Sequence, residues 1–231
     1  MHLFNKRKFE KLLEWWEWDH EINLIEEAPK ELNTKAYAII LKEEEALNQW
    51  LDMQLKARLI VELKSRYAAP CFYIPKKDGS LWLVQDYRKL NQVTIKNKIP
   101  LLLIGEVIDK LKKAKYFNKL NLIWKYNNVQ IKEGNEWKAA FLTNKRLFKP
   151  QVIYFRLCNL PGTFQRMINS IFWELLHEGV LANYMNNFII LTKTMKELEK
   201  RIIRFLKIAE KHNLCFKRCQ AQFTPGWKST E

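Results

Sequence analysis

The segment Val180–Leu191 constrains this chain more than any other. Val180-Leu181-Ala182 and Phe188-Ile189-Ile190-Leu191 are apolar runs, and between them stands Tyr184-Met185-Asn186-Asn187. Two apolar runs of strand length around paired asparagines predict a β-hairpin. Asn tolerates positive φ, so Asn186-Asn187 is the expected tight turn.

The rest of the chain predicts strands and helices in mixed order. A helix is expected over Glu43–Leu59, with Ala46, Trp50, Met53 and Ala57 on one stripe. Ala69–Ile74 and Leu81–Gln85 read as strands joined by the turn Lys77-Asp78-Gly79. Phe117–Asn121, Val129–Lys132, Trp137–Leu142 and Gln151–Phe155 are further strand candidates. Helices are expected at Lys6–Trp18, Ile104–Lys113, Gly162–His177 and from Thr194 to about Lys211. Pro161 suits a first helical turn, and Thr194-Met195-Lys196-Glu197 has capping-box spacing. The absence of regular βαβ alternation favours α+β.

At 231 residues with 48% hydrophobic content, the chain can build a real core. No stretch has the length of a membrane-spanning helix, and Met1-His2-Leu3-Phe4 is followed by charges instead of a signal core. The four cysteines form no disulfide framework. Cys215-x-x-x-Cys219 near His212 is only a faint metal pattern with no second ligand pair. An intracellular, reducing setting, cytoplasm or nucleus, is the expectation. The net charge of +15 suggests a nucleic-acid partner, because Lys and Arg that neutralise phosphates release counterions. Lysines coating solvated helix faces would give the same number.

In order along the chain, Trp18-Asp19-His20-Glu21-Ile22, Tyr67-Ala68-Ala69-Pro70, Pro75-Lys76-Lys77-Asp78-Gly79-Ser80 and Gln85-Asp86-Tyr87-Arg88-Lys89-Leu90-Asn91 are followed by Lys115–Asn121, Ile131–Phe141, Asn159–Gln165, the hairpin and Ala209–Leu214. This ordered set resembles the reverse transcriptase of gypsy-type LTR retrotransposons, and ordered multiple motifs are far more specific than one. The resemblance implies a right-hand polymerase without its thumb. It has fingers at about 60–110 and 130–155, and a palm at about 111–129 and 156–219. The palm sheet should be antiparallel with helices on one face. Residues 1–17 would be an arm, 18–219 the domain, and 220–231 a divergent tail.

The family reaction is RNA-directed DNA synthesis with two Mg²⁺ ions held by three aspartates. Asn121, Asn186 and Asn187 stand at those positions here. Magnesium takes anionic oxygens, so the resemblance implies a site whose charge falls from about −3 to about 0. Losing metal catalysis costs on the order of 10³-fold or more in rate. No metal is expected in this copy. The resemblance places Lys76, Lys77, Trp82, Tyr126, Phe155 and Arg156 around the incoming nucleotide. Trp82 replaces a basic residue, Arg156 replaces a glycine, and Tyr126 keeps the aromatic gate at the sugar 2′ position. Gln165, Tyr184 and Met185 fall along the template and primer. Asp86 and Arg88 match the family and read as a structural pair.

Many departures share one chemistry. Asn121, Asn135, Asn186 and Asn187 for aspartate, Lys149 for glutamate and Arg156 for glycine each need only G→A. Trp82 for arginine and Leu160 for serine need only C→T. These are one transition read on opposite strands, as cytosine deamination or repeat-directed mutation would leave. Such changes account for roughly half of the +15, which weakens net charge as a sign of evolved nucleic-acid affinity. The sequence thus predicts an inactive reverse transcriptase domain with non-specific affinity for template–primer. The alternatives are a non-enzymatic nucleic-acid-binding protein or a pseudogene product without a selected role.

Overall fold

The computed structural model describes residues 18–77, 79–97, 104–112, 114–123 and 128–217. The expected arm 1–17 and tail 220–231, the Lys6–Trp18 helix, Asp78, Tyr126 and Cys219 lie outside them. The chain divides into two compact units. Among the described residues one takes those up to 97 and 128–160, and the other takes 104–123 and 161–217.

The first unit is built on a six-stranded mixed sheet in the order β1-β3-β6-β7-β2, with β4 paired to β3. The strands are β1 (Leu32–Asn33), β2 (Ile60–Glu62), β3 (Tyr67–Pro75), β4 (Leu81–Gln85), β6 (Phe141–Leu142) and β7 (Leu147–Pro150). The β3–β4 hairpin forms as the sequence predicts. Gly79 closes its turn with φ +76°, a conformation glycine adopts freely, and its N–H donates to the Lys76 carbonyl. Helix α1 (Leu41–Lys56) starts where the Glu43 carboxylate accepts from the Ile40 N–H, at 3.1 Å. Its buried residues are Leu47, Leu51 and Gln54; of the expected stripe of Ala46, Trp50, Met53 and Ala57, Trp50 packs inward while Met53 is 59% exposed. Gln54 tolerates burial because the Tyr154 hydroxyl donates to its Oε1 at 2.8 Å. Around that bond Trp50, Phe141, Phe148 and Tyr154 pack ring against ring, with centroids 5.7–6.1 Å apart. The short helix α2 (Arg88–Gln92) follows the buried Tyr87, whose hydroxyl donates to the Ala139 carbonyl.

Two strand expectations fail in this unit, and a third, Trp137–Leu142, holds only at its end in β6. Val129–Lys132 and Gln151–Phe155 carry only isolated bridges, His20↔Ile131 and Gln130↔Val152. The two segments meet each other at the Gln130↔Val152 bridge, where the Ile131 N–H donates to the Gln151 carbonyl and the Ile153 N–H to the Val129 carbonyl, and the pairing goes no further. Trp137–Leu142 begins as a 3₁₀ turn over Glu136–Ala139, held by Lys138, whose ammonium donates to Asn135 Oδ1 and the Ile22 carbonyl at 2.6 Å each.

The second unit holds a four-stranded, wholly antiparallel sheet in the order β10-β5-β9-β8. Its strands are β5 (Tyr116–Leu122), β8 (Leu181–Tyr184), β9 (Asn187–Thr192) and β10 (Phe216–Lys217). Its helices are α3 (Ile104–Lys112), α4 (Leu160–Ile171), α5 (Trp173–His177) and α6 (Met195–Lys211). The expected single helix over Gly162–His177 breaks at Phe172, which is 1% exposed and turns its ring into the core. Thr194 caps α6 as its spacing predicts, its Oγ1 accepting from the Glu197 N–H.

The expectation of helices on one face is corrected. Strand side chains alternate faces, and β9 sends Phe188 one way and Ile189 and Leu191 the other. Phe188 packs on Phe172, Phe205 of α6 and Phe216, with centroids 5.5 Å away in each case. Leu191 and Ala182 meet Val107 and Leu111 of α3 on the opposite face. The sheet is therefore clad on both sides, α3 covering only the end around Phe117 and Leu191. That leaves Lys119, further along this face of β5, exposed.

Candidate functional site

The predicted residues fall into two groups, one in each unit. In the second unit the pairing register brings Asn121, Asn186 and Asn187 together. Asn121 on β5 lies opposite Asn187 on β9, and the Leu122 N–H donates to the Asn186 carbonyl at 2.9 Å. The Asn186 Nδ2 donates to Asn121 Oδ1 at 2.6 Å.

The turn between β8 and β9 is Met185-Asn186, one residue earlier than expected. Tyr184 and Asn187 pair across it, and the positive φ, +56°, belongs to Met185. A non-glycine residue there carries about 1–2 kcal/mol of strain. The brace is Asn183, 1% exposed, whose Nδ2 donates to the carbonyls of Met185 (2.9 Å) and Asn187 (3.3 Å). Gln165 Nε2 in turn donates to Asn183 Oδ1 at 2.9 Å and to Asn169 Oδ1 at 2.8 Å. Gln165 is thus buried at 5% exposure, and its amide holds the turn from within the unit. Tyr184 is 38% exposed.

Asn121 has a second cross-strand neighbour, Lys217 on β10. Directly opposed residues of antiparallel strands carry Cβ atoms about 4.5–5.5 Å apart. Lys119 lies two residues back along β5 on the same face, and both lysines are exposed. The face therefore combines three neutral carboxamides with two ammonium groups. Hard dications take anionic oxygens. Here the carboxamides carry no charge, and Asn121 Oδ1 already accepts from Asn186. This donor set does not fit a pair of Mg²⁺ ions. Asn183 and Lys217 were missed in the sequence. An asparagine inside an apolar strand was a usable signal for the first; the second depends on a pairing between strands some 95 residues apart.

The other group lies in the first unit. Lys76 and Lys77 stand exposed at the tip of the β3–β4 hairpin, where the Lys76 N–H donates to the Ser80 carbonyl. Trp82 on β4 and Phe155 lie ring against ring, centroids 5.3 Å apart and planes tilted by 48°. They are 41% and 43% exposed. Arg156 holds φ +81°, the left-handed region that favours glycine, and its guanidinium sits 5.8 Å over the Phe72 ring. Asn91 fixes this loop: its Nδ2 donates to the Arg156 carbonyl and its Oδ1 accepts from the Cys158 N–H, both at 2.8 Å. Asp86 and Arg88 form the expected pair, Nη2 to Oδ2 at 2.6 Å and Nε to Oδ1 at 2.9 Å. That hydrogen bonding holds the Asp86 carboxyl below its ordinary range. Among the described residues no group of three or more His, Cys, Asp or Glu could hold a metal ion, and no helix is long and apolar enough to cross a membrane.

The mixed sheet, the antiparallel sheet and the hairpin meeting β5 place the chain in a class with solved structures. The foamy viral protease–reverse transcriptase in complex with RNA/DNA hybrid matches at TM-score 0.74 and 20% identity, over 86% of this chain and 26% of that one. The same protein as a dRH form in complex with double-stranded DNA matches at 0.76 and 21%, over 86% and 34%. At such identity the likeness is one of fold. The profile of the family described as reverse transcriptase (RNA-dependent DNA polymerase) matches residues 74–226, and the chain belongs to that family. It is a reverse transcriptase-like domain of the RNA-directed DNA polymerase family. The Tf2-7 and Tf2-3 transposon polyproteins of Schizosaccharomyces pombe are similar to it, 30% and 29% identical over 205 residues. Those residues are 89% of this chain, which spans only 15% of the length of those relatives.

Proposed function

We propose that the chain is the fingers and palm of a gypsy-type LTR retrotransposon reverse transcriptase, in a degenerate copy that has lost catalysis. The antiparallel unit is the palm and the mixed-sheet unit the fingers. The observation that carries the loss of activity is the bond from Asn186 to Asn121 Oδ1 within a cluster of three carboxamides flanked by Lys119 and Lys217. Where the family holds two Mg²⁺ ions, this cluster offers no charge to offset them, and metal-assisted phosphoryl transfer depends on that charge. What remains is binding. The solved relatives of this fold hold RNA/DNA hybrid and double-stranded DNA. With a net charge of +15 the present chain binds template–primer through phosphate contacts, without base information and with steep salt dependence. Primer extension on a polyribonucleotide template with Mg²⁺ or Mn²⁺ tests the reading. No product above the protein-free control is expected. Extension by purified protein, abolished by EDTA, refutes it.

A further inference from the structure

The face of the β3–β4 hairpin that carries Trp82 has an arrangement the family position does not explain. Trp82 lies opposite Ile74, and Phe72 lies opposite Val84, so Trp82 and Phe72 are diagonal neighbours on one face. Diagonal positions of this kind lie about 7–8 Å apart. Each has a partner from one loop: Phe155 leans on Trp82, and the Arg156 guanidinium covers Phe72. Two adjacent aromatic rings, each more than 40% exposed, offer a flat apolar surface to solvent. A planar guanidinium over an aromatic ring also presents its outer face for stacking.

The residues at these positions have exchanged one chemistry for another. By the resemblance Trp82 takes the place of a cation, which would turn a phosphate contact into a flat apolar surface, and Arg156 adds a second flat group beside it. Lys76 and Lys77 at the hairpin tip keep a general attraction for phosphate. A free nucleoside triphosphate offers one base and a concentrated charge. A single-stranded polynucleotide offers successive bases with charge spread along its backbone. Stacking is tolerant of sequence because every base has a π-face.

We propose that the Trp82–Phe155 pair, with Arg156 on Phe72, is a stacking platform for unpaired bases of a single-stranded polynucleotide. The inference rests on the reading of Trp82, Phe155 and Arg156 as nucleotide-facing residues, and changes their ligand from a free triphosphate to a strand. The strand is held by its bases at the platform and by its phosphates at Lys76 and Lys77. The platform needs no metal and no chemistry at the Asn121 cluster.

The test uses the whole chain and two labelled probes of equal length and charge, a thymidine 12-mer and an abasic phosphodiester 12-mer. Fluorescence anisotropy in EDTA at moderate salt reads binding. The thymidine strand is expected to bind about tenfold or more tightly than the abasic strand, the scale of one lost stacking contact. Trp82→Ala should weaken thymidine-strand binding by a similar factor and leave abasic binding unchanged, whereas Trp82→Phe should retain most of it. Equal binding of the two probes by the unmodified chain overturns the proposal without any variant. So does a Trp82→Ala chain that binds the thymidine strand as before, or absence of binding to that strand. Displacement of the strand by dTTP tenfold better than by thymidine monophosphate also overturns it, because the site would then still recognise a triphosphate. Equal probe binding leaves the inactive-polymerase reading standing. Primer extension would refute that reading and leave the platform untouched.

Discussion

Restoring the three carboxylates should destabilise the protein before it does anything else. In Asn121→Asp/Asn186→Asp/Asn187→Asp the 2.6 Å bond between residues 186 and 121 becomes a contact between two anions. The lost hydrogen bond is worth about 1 kcal/mol. Two like charges about 4 Å apart repel by about 1 kcal/mol at the dielectric of water and about 4 kcal/mol at an effective value of 20. Lys119 and Lys217, exposed on the same face, return about 0.2–1 kcal/mol each as surface pairs do. At the effective value of 20 that holds near a protein surface the net cost is about 3–5 kcal/mol. For a chain of this size each kcal/mol moves Tm by about 2–4 °C, so the variant should melt about 6–20 °C lower in EDTA at pH 7. The new carboxylates raise one another's pKa. Their repulsion is therefore greatest when all are ionised and fades as acid protonates one of them, so the gap to the parent should narrow as pH falls. Mn²⁺ at a hundredfold excess over its Kd should return about 2.7 kcal/mol. Thermal melts of parent and variant, each with EDTA and with Mn²⁺, read all of this. A variant that melts with the parent in EDTA would show that the three residues do not form this cluster, and a parent that gains several degrees from Mn²⁺ would show that the carboxamides hold the ion.

The same triple variant should regain Mn²⁺ binding without regaining primer extension, because Trp82 and Arg156 remain where the proposed reading puts the incoming nucleotide; extension at an appreciable rate would contradict this. Phe205→Ala removes a fully buried ring stacked 4.6 Å from Phe172 and packed on Phe188 and Phe216. It should cost about 3–5 kcal/mol in urea denaturation, and a loss under 1 kcal/mol would mean this core is wrongly described. Arg156→Gly relieves about 1–2 kcal/mol of left-handed strain against about 0.5–1 kcal/mol for glycine's freedom in the unfolded chain. It should therefore unfold no more easily than the parent despite the lost contact with Phe72. The Arg204 guanidinium bonds Glu178 at 2.7 Å and Glu174 at 2.6 Å, tying α5 to α6. Hydrogen bonding to Arg204 lowers the Glu178 pKa, and hydrogen bonding to Arg201 lowers that of Glu197. Depressed carboxylate pKa values stabilise the fold above the unfolded value and lose that effect as pH falls through the folded one. Melts across the acid range should thus show a shallower decline for Arg204→Ala than for the parent.

Local chemistry made some elements readable from sequence and hid others. The β3–β4 hairpin, the Thr194 cap and the β8–β9 hairpin each rest on residues within a few positions of one another, so their signals survive in the sequence. The turn slipped by one residue because Asn183, buried and braced by Gln165, fixes the carbonyls of Met185 and Asn187 and places the positive φ on Met185. Nothing in the intrinsic preference of Asn reveals that brace. Val129–Lys132 and Gln151–Phe155 have strand composition but pair only through isolated bridges. The expected α1 stripe holds at Trp50 and fails at Met53, because the polar Gln54 is drawn inside by the Tyr154 hydroxyl. In the site, the three asparagines were legible as a set because family spacing marks them. The lysine opposite Asn121 was not, since β10 finds β5 only in the folded sheet.

If the Asn121–Asn186–Asn187 cluster holds no catalytic metal, Mn²⁺ should find no tight site on the chain. Electron paramagnetic resonance of Mn²⁺ titrated into the unmodified chain addresses it directly, because bound and free Mn²⁺ give separable signals. A free-ion signal that rises in step with added Mn²⁺ up to millimolar concentration is expected, the same for the parent and for Asn121→Ala. One or two Mn²⁺ ions bound per chain at micromolar concentration, and released by Asn121→Ala or Asn186→Ala, would contradict it.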